Sequence, residues 1–206
     1  MIRKVAVLVA ALSVLTGCGM AQEAGAAAIV GDQRLTNEQL ESRYLSVMNA
    51  LGNQEVPGTA IEINRRLVSS FVFSVITTAV AKDLGVEVTD AEVETEYKSL
   101  IDQYGGKEAL EAAAAAGATA PSTIKMILRT SGNFRLIGLK LDPSGTTETQ
   151  GVKAVEVMSE KALELGLKIS PRYGKWDFET FSLGEDTTLS MTLQQFFPDA
   201  AAAVTE

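Results

Sequence analysis

Residues 67–81, LVSSFVFSVITTAVA, run fifteen positions without a charge between Arg65-Arg66 and Lys82-Asp83. Five of the fifteen are Ser or Thr, and a membrane span needs roughly 20 apolar residues. The stretch therefore reads as the middle of a buried helix over 60–84, closed by Gly85. Ile61, Leu67, Val68, Phe71, Val72, Val75, Ile76, Ala79 and Val80 cover most of its circumference. A helix that is apolar nearly all round has to be wrapped by other elements. The chain is thus expected to be mostly α, with 60–84 at the centre of one core.

Composition narrows the chemistry. The 206 residues are 46% hydrophobic and 21% charged, which suits a folded globular chain. There is no His and one Cys. Ser-His-Asp and Cys-His catalysis, His-ligated metals, thiolate clusters and an internal disulfide are excluded. A formal net charge of −8 leaves no basic excess for nucleic acid phosphates. Carboxylate, Lys, Tyr or Ser/Lys chemistry remains, or no chemistry at all. No phosphate-cradling Gly-rich loop and no nucleophile elbow is present. The reading is a non-enzyme without cofactor or metal.

The single Cys sits at a telling place. Arg3 and Lys4 form a positive start, Val5 to Val14 is apolar, and Leu15-Thr16-Gly17-Cys18 follows. This resembles the bacterial lipoprotein signal, with its aliphatic residue, two small residues and Cys. It implies cleavage after residue 17 and lipidation (diacylglycerol and palmitate) of Cys18. Two or more acyl chains give stable membrane anchoring. Residues 18–27 would be a short tether, and the domain would work at the outer face of the cell membrane.

The rest reads as capped helices between two extended ends. Residues 26–35 are hairpin-like, turning at Gly31-Asp32. Thr36 and Thr89 open helices, each with Gln or Glu at the third position, Gln39 and Glu92. Lys107 to Ala116 is an Ala-rich helix. Pro121 to Leu141 reads as another, weakened by Gly132-Asn133. Residues 142–150 read as a linker, 151–165 as a short amphipathic helix, 167–183 as strand-like and 184–206 as a poorly ordered tail. The 27–30 strand and the 167–180 segment cannot form stable sheets alone. They are expected to meet, with about five helices inserted between them and Pro171 at an edge.

Four pieces in this order carry a resemblance. AAAIVGDQRLTNEQLESR at 26–43 is similar to the opening of the SurA-type chaperone N-terminal domain. Gly85-Val86-Glu87-Val88-Thr89-Asp90-Ala91-Glu92-Val93, then Gly105-Gly106-Lys107-Glu108-Ala109-Leu110 and Gly117-Ala118-Thr119, resemble SurA-like and PrsA-like foldases. Ser170-Pro171-Arg172-Tyr173-Gly174-Lys175-Trp176-Asp177 looks like the close of short SurA-domain lipoproteins. The resemblance implies a SurA N-terminal-like helical domain over 28–183, with a small β-sheet formed by the N- and C-terminal segments. Foldases of this kind carry a parvulin isomerase of about 90–100 residues after the helices. Only 142–206 remain here, without His, so the isomerase is missing and prolyl isomerase activity is not implied.

Candidate contact residues follow, each with a competing reading. Tyr173 and Trp176, beside Arg172, could stack on an extended peptide, or could anchor the last strand on the helices. Met126 and Met158, with Met48 and Met191, could line an adaptable groove or fill the core. Asp90, Glu92, Glu94 and Glu96 could converge on a metal, but suit a solvated helix start whose dipole favours acids. Arg65-Arg66 could hold an anion or make ion pairs. Two functions stay open: a chaperone-like lipoprotein holding unfolded or secreted polypeptides, or an accessory cell-envelope lipoprotein binding one dedicated partner. Neither client nor oligomeric state is legible.

Overall fold

The computed structural model describes residues 24–184. Cys18, the signal segment 1–17, most of the tether and residues 185–206 lie outside the described residues.

The chain starts with an antiparallel hairpin. β1 (Ala26–Val30) pairs with β2 (Gln33–Thr36) across Gly31-Asp32. Gly31 has φ +61, the left-handed geometry this tight turn needs. Six helices follow: α1 (Asn37–Leu51), α2 (Ala60–Leu84), α3 (Asp90–Tyr104), α4 (Lys107–Ala116), α5 (Ile124–Leu141) and α6 (Thr147–Glu164). β3 (Lys168–Ile169) then returns to the first hairpin. A 3-10 turn at Pro171–Tyr173 leads into β4 (Lys175–Asp177) and β5 (Ser182–Gly184).

Helix starts follow the local chemistry expected of them. Thr36 and Thr89 cap α1 and α3, and each pairs reciprocally with Gln39 or Glu92. Thr59 does the same for α2 with Glu62. Each box satisfies amide donors that the first turn cannot pair internally.

α2 is the centre of the molecule. It packs on α5, α6 and α1 and against β1. Ile63, Val68, Val72 and Ile76 are fully buried along it. By length and composition α2 could cross a membrane; half of its most apolar stretch is buried in this fold. β1, through Ala27, Ala28 and Val30, and α6, through Ala154, Met158 and Ala162, add to the same core.

The 27–30 strand and the start of the 167–180 segment do meet. Ala28 pairs with Ile169 and Ile29 with Lys168, giving a sheet of order β2-β1-β3. The Ser170 amide extends the ladder to the Ala27 carbonyl at 3.0 Å. Six helices, where the sequence predicts about five, lie between β2 and β3. The 167–183 segment is not one strand: β4 and β5 form a separate hairpin with Trp176 opposite Leu183. Pro171 sits in the 3-10 turn that ends β3, so the ladder stops where a donor is missing.

Two boundaries differ from the sequence reading. α6 begins at Thr147, so the linker shrinks to 142–146. Thr146 caps α6, accepting from the Thr149 amide at 3.2 Å. The added turn is polar, so hydrophobic spacing could not detect it. α5 runs unbroken through Gly132-Asn133. Here tertiary packing overrides propensity. A Cβ on Gly132 would lie 2.6 Å from Val88 Cγ2. Asn133 is fully buried, and its Oδ1 accepts from the Val88 amide at 2.7 Å. These two residues dock the 85–89 loop onto α5.

Candidate functional site

Four aromatic rings from three parts of the chain come together where the β4–β5 hairpin meets the helices. Phe73 of α2 lies 5.5 Å from Phe134 of α5 and 5.8 Å from Phe181, between centroids. Phe181 meets Trp176 edge-on at 5.2 Å and 88°. Trp176 and Phe181 are buried, whereas Phe73 and Phe134 are only partly so. Edge-to-face pairs of this kind add to the stability from area burial alone.

The hairpin turn is built for this placement. Asp177 Oδ1 accepts from the Glu179 amide at 2.8 Å and the Thr180 amide at 3.3 Å. Those donors hold the Asp177 carboxyl below the usual carboxylate range. Phe181 then adopts φ +50, a left-handed backbone rare for a bulky side chain. Ser159 of α6 donates to the Phe178 carbonyl at 2.8 Å, tying the turn to the bundle.

Two clefts flank the aromatic cluster. One, of about 300 Å³, is lined by Ser69, Ser70, Phe73, Ile127, Trp176 and Phe181 among others, and no charged residue contributes. The Trp176 indole Nε1 is buried with no hydrogen-bond partner among the described residues. The other, of about 800 Å³, runs between α6 and the turn. Phe134, Val152, Val155 and Phe178 give it apolar walls, and Glu156, Glu160 and Glu179 give it acidic ones. Ligand pockets in general combine apolar walls with a few polar groups that fix orientation.

The four candidate contact residues scatter. Trp176 alone lines a cleft. Met158 is fully buried, and its Sδ accepts from Thr77 Oγ1 at 3.7 Å. Tyr173 is buried and fastens the C-terminal segment: its hydroxyl donates to Asn37 Oδ1 at 3.2 Å. Met126 is half-buried on α5 and lines neither cleft. A shared Tyr173–Trp176–Met surface is therefore not what this structure presents. Phe73, Phe134, Phe178 and Phe181 were not singled out by sequence. The one available signal was Phe178 and Phe181 bracketing a polar Glu-Thr turn.

Three of the four acids that open α3 are engaged in capping or in ion pairs to α5. Glu92 caps its own helix, accepting from the Thr89 amide at 2.9 Å. Glu94 pairs with Lys125 at 2.5 Å, and Asp90 with Arg129. Among the described residues no group of three or more acidic, His or Cys side chains is arranged to hold a metal ion. Arg65 is also engaged, donating from Nε to the Tyr173 carbonyl at 2.9 Å.

Comparison with known protein families, with curated protein sequences and with solved structures finds no significant match to this chain.

Proposed function

We propose that this chain is a membrane-anchored, extracytoplasmic lipoprotein that holds unfolded or secreted polypeptides, without prolyl isomerase activity. The observation that carries the reading is the pair of clefts around Phe73, Phe134, Trp176 and Phe181. Both have walls that are more apolar than polar. The net charge of −8 would keep a client complex dispersed. The anchor at Cys18 rests on the lipoprotein-like start of the sequence. The likeness to SurA-type chaperone domains rests on the four sequence pieces, and the six-helix body between paired chain ends is compatible with it.

Aggregation of several unrelated unfolded proteins tests the reading. The full chain should suppress aggregation of most of them near equimolar ratio. If it suppresses none, while one envelope protein co-purifies with it from solubilised membranes, the alternative of a dedicated partner replaces this one.

A further inference from the structure

We infer that the larger cleft, between α6 and the β4–β5 turn, selects extended client segments in which apolar residues are flanked by Lys or Arg. The inference deepens the proposed polypeptide-binding function and rests on it.

Val152 on α6 is 62% exposed beside the half-buried Phe134, Val155 and Phe178. Leu163, 64% exposed, lies eleven residues further along α6. Eleven residues are about three turns, so both face the same way, roughly 16 Å apart. An extended chain of about five residues spans that distance. Ser159 and Glu160 separate Leu163 from the cleft, whose own exposed apolar wall is Val152 beside Val155, Phe134 and Phe178.

Charge defines the occupant. The cleft contains Glu156, Glu160 and Glu179, and neither Lys nor Arg lines it. Glu156 is paired with Lys153 at 2.9 Å. Glu160 on α6 and Glu179 on the turn, one from each wall, make no ion pair among the described residues. A segment with cations at both ends of an apolar stretch would meet both carboxylates while its side chains cover Val152 and Phe178. An anionic lipid surface would be repelled by the same groups. A second copy of this acidic chain would bring net like charge to the contact.

Binding of three dye-labelled peptides to the processed, lipidated protein in a neutral detergent tests this. The peptides are Lys-Val-Leu-Val-Lys, Ser-Val-Leu-Val-Ser and Glu-Val-Leu-Val-Glu. The basic one should bind about tenfold tighter than the acidic one at low salt, from two exposed charge pairs formed instead of repelled. High salt should shrink the difference. Glu160→Gln with Glu179→Gln should remove most of the preference. Val152→Ser should weaken all three peptides alike. All three sites are exposed, and melting of each variant checks that it folds. Equal binding of basic and acidic peptides, or a preference untouched by the double variant, would overturn the inference. Aggregation suppression that survives such a result leaves the polypeptide-binding reading standing. If no peptide binds and no aggregation is suppressed, both fail.

Discussion

Arg65 and Tyr173 lie 108 residues apart in sequence, yet Arg65 Nε donates to the Tyr173 carbonyl at 2.9 Å. The Tyr173 hydroxyl reaches Asn37 at the start of α1. One residue near the C-terminal end of the fold thus ties together the first helix and the central helix. With the Ala28–Ile169 pairing, it joins the segment after α6 to the start of the fold.

Breaking this closure should destabilise the whole domain. Tyr173→Phe removes one hydrogen bond and should cost about 1 kcal/mol. Tyr173→Ala also empties a buried site and should cost about 3 kcal/mol or more. Deleting 167–206 should abolish the cooperative thermal transition. A truncated chain that keeps its helical circular dichroism and its midpoint would show that the ends are not needed.

Burial along α2 and α6 makes a contrasting pair. Ile76 is fully buried, so Ile76→Ala should cost about 2–5 kcal/mol. Leu163→Ala, at an exposed site, should stay within about 0.5 kcal/mol. Urea melts of the two variants check this, and similar midpoints would mean that α6 or α2 is placed wrongly.

Where local chemistry dominates, the sequence was enough. The Thr36 and Thr89 capping boxes and the 3.6-residue apolar spacing of 60–84 mark elements whose causes lie within a few residues. Pairing of the chain ends could be read because neither short strand is stable alone. What stayed hidden depends on distant partners. Asn133 looks like a helix breaker until Val88 appears opposite it. Phe181 looks like a loop residue until a left-handed backbone turns its ring onto Trp176 and Phe73. Tyr173 and Trp176 are close in sequence, but the 3-10 turn and β4 send them to different places.

Between acid and neutral pH, stability should depend on pH only on the acid side. Glu62 and Glu92 accept from the Thr59 and Thr89 amides, and Asp177 from the Glu179 amide, and each carboxyl is held below its usual range. A carboxyl lowered in the folded state stabilises above its unfolded value, about 4. That contribution is lost as pH falls through the lower folded value. With no His in the chain, no His titrates near neutrality. The thermal midpoint should be flat between about pH 6 and 8 and fall below about pH 4. Glu92→Gln should lessen the acid-side fall; a midpoint that already drops between pH 7 and 6 would contradict this account.

The proposed lipid anchor is tested at its only possible attachment point. Cys18 is the sole Cys of the chain, so Cys18→Ala leaves no thiol for a lipid. The variant should move from the detergent phase to the aqueous phase on phase separation, or stay unprocessed at higher mass. Partitioning equal to the unaltered protein would rule out lipidation there.

Gly174 links the closure to the candidate site. It has φ +121, a region that L side chains rarely adopt. A Cβ at this position would overlap the Gly184 carbonyl oxygen. That oxygen belongs to backbone fixed by the β4–β5 ladder, where Lys175 pairs with Gly184. It cannot rotate aside as a flexible side chain would. Gly174→Ala should therefore part β4 from β5 before anything else yields, at a cost of about 2 kcal/mol or more. Parting the strands exposes Trp176, which is the only tryptophan in the chain. Its emission should shift to the red at temperatures where the helical circular dichroism is still intact. Binding in the clefts that Trp176 and Phe178 help to wall should weaken in parallel. Unchanged emission together with an unchanged midpoint would mean that the hairpin does not hold Trp176 in place.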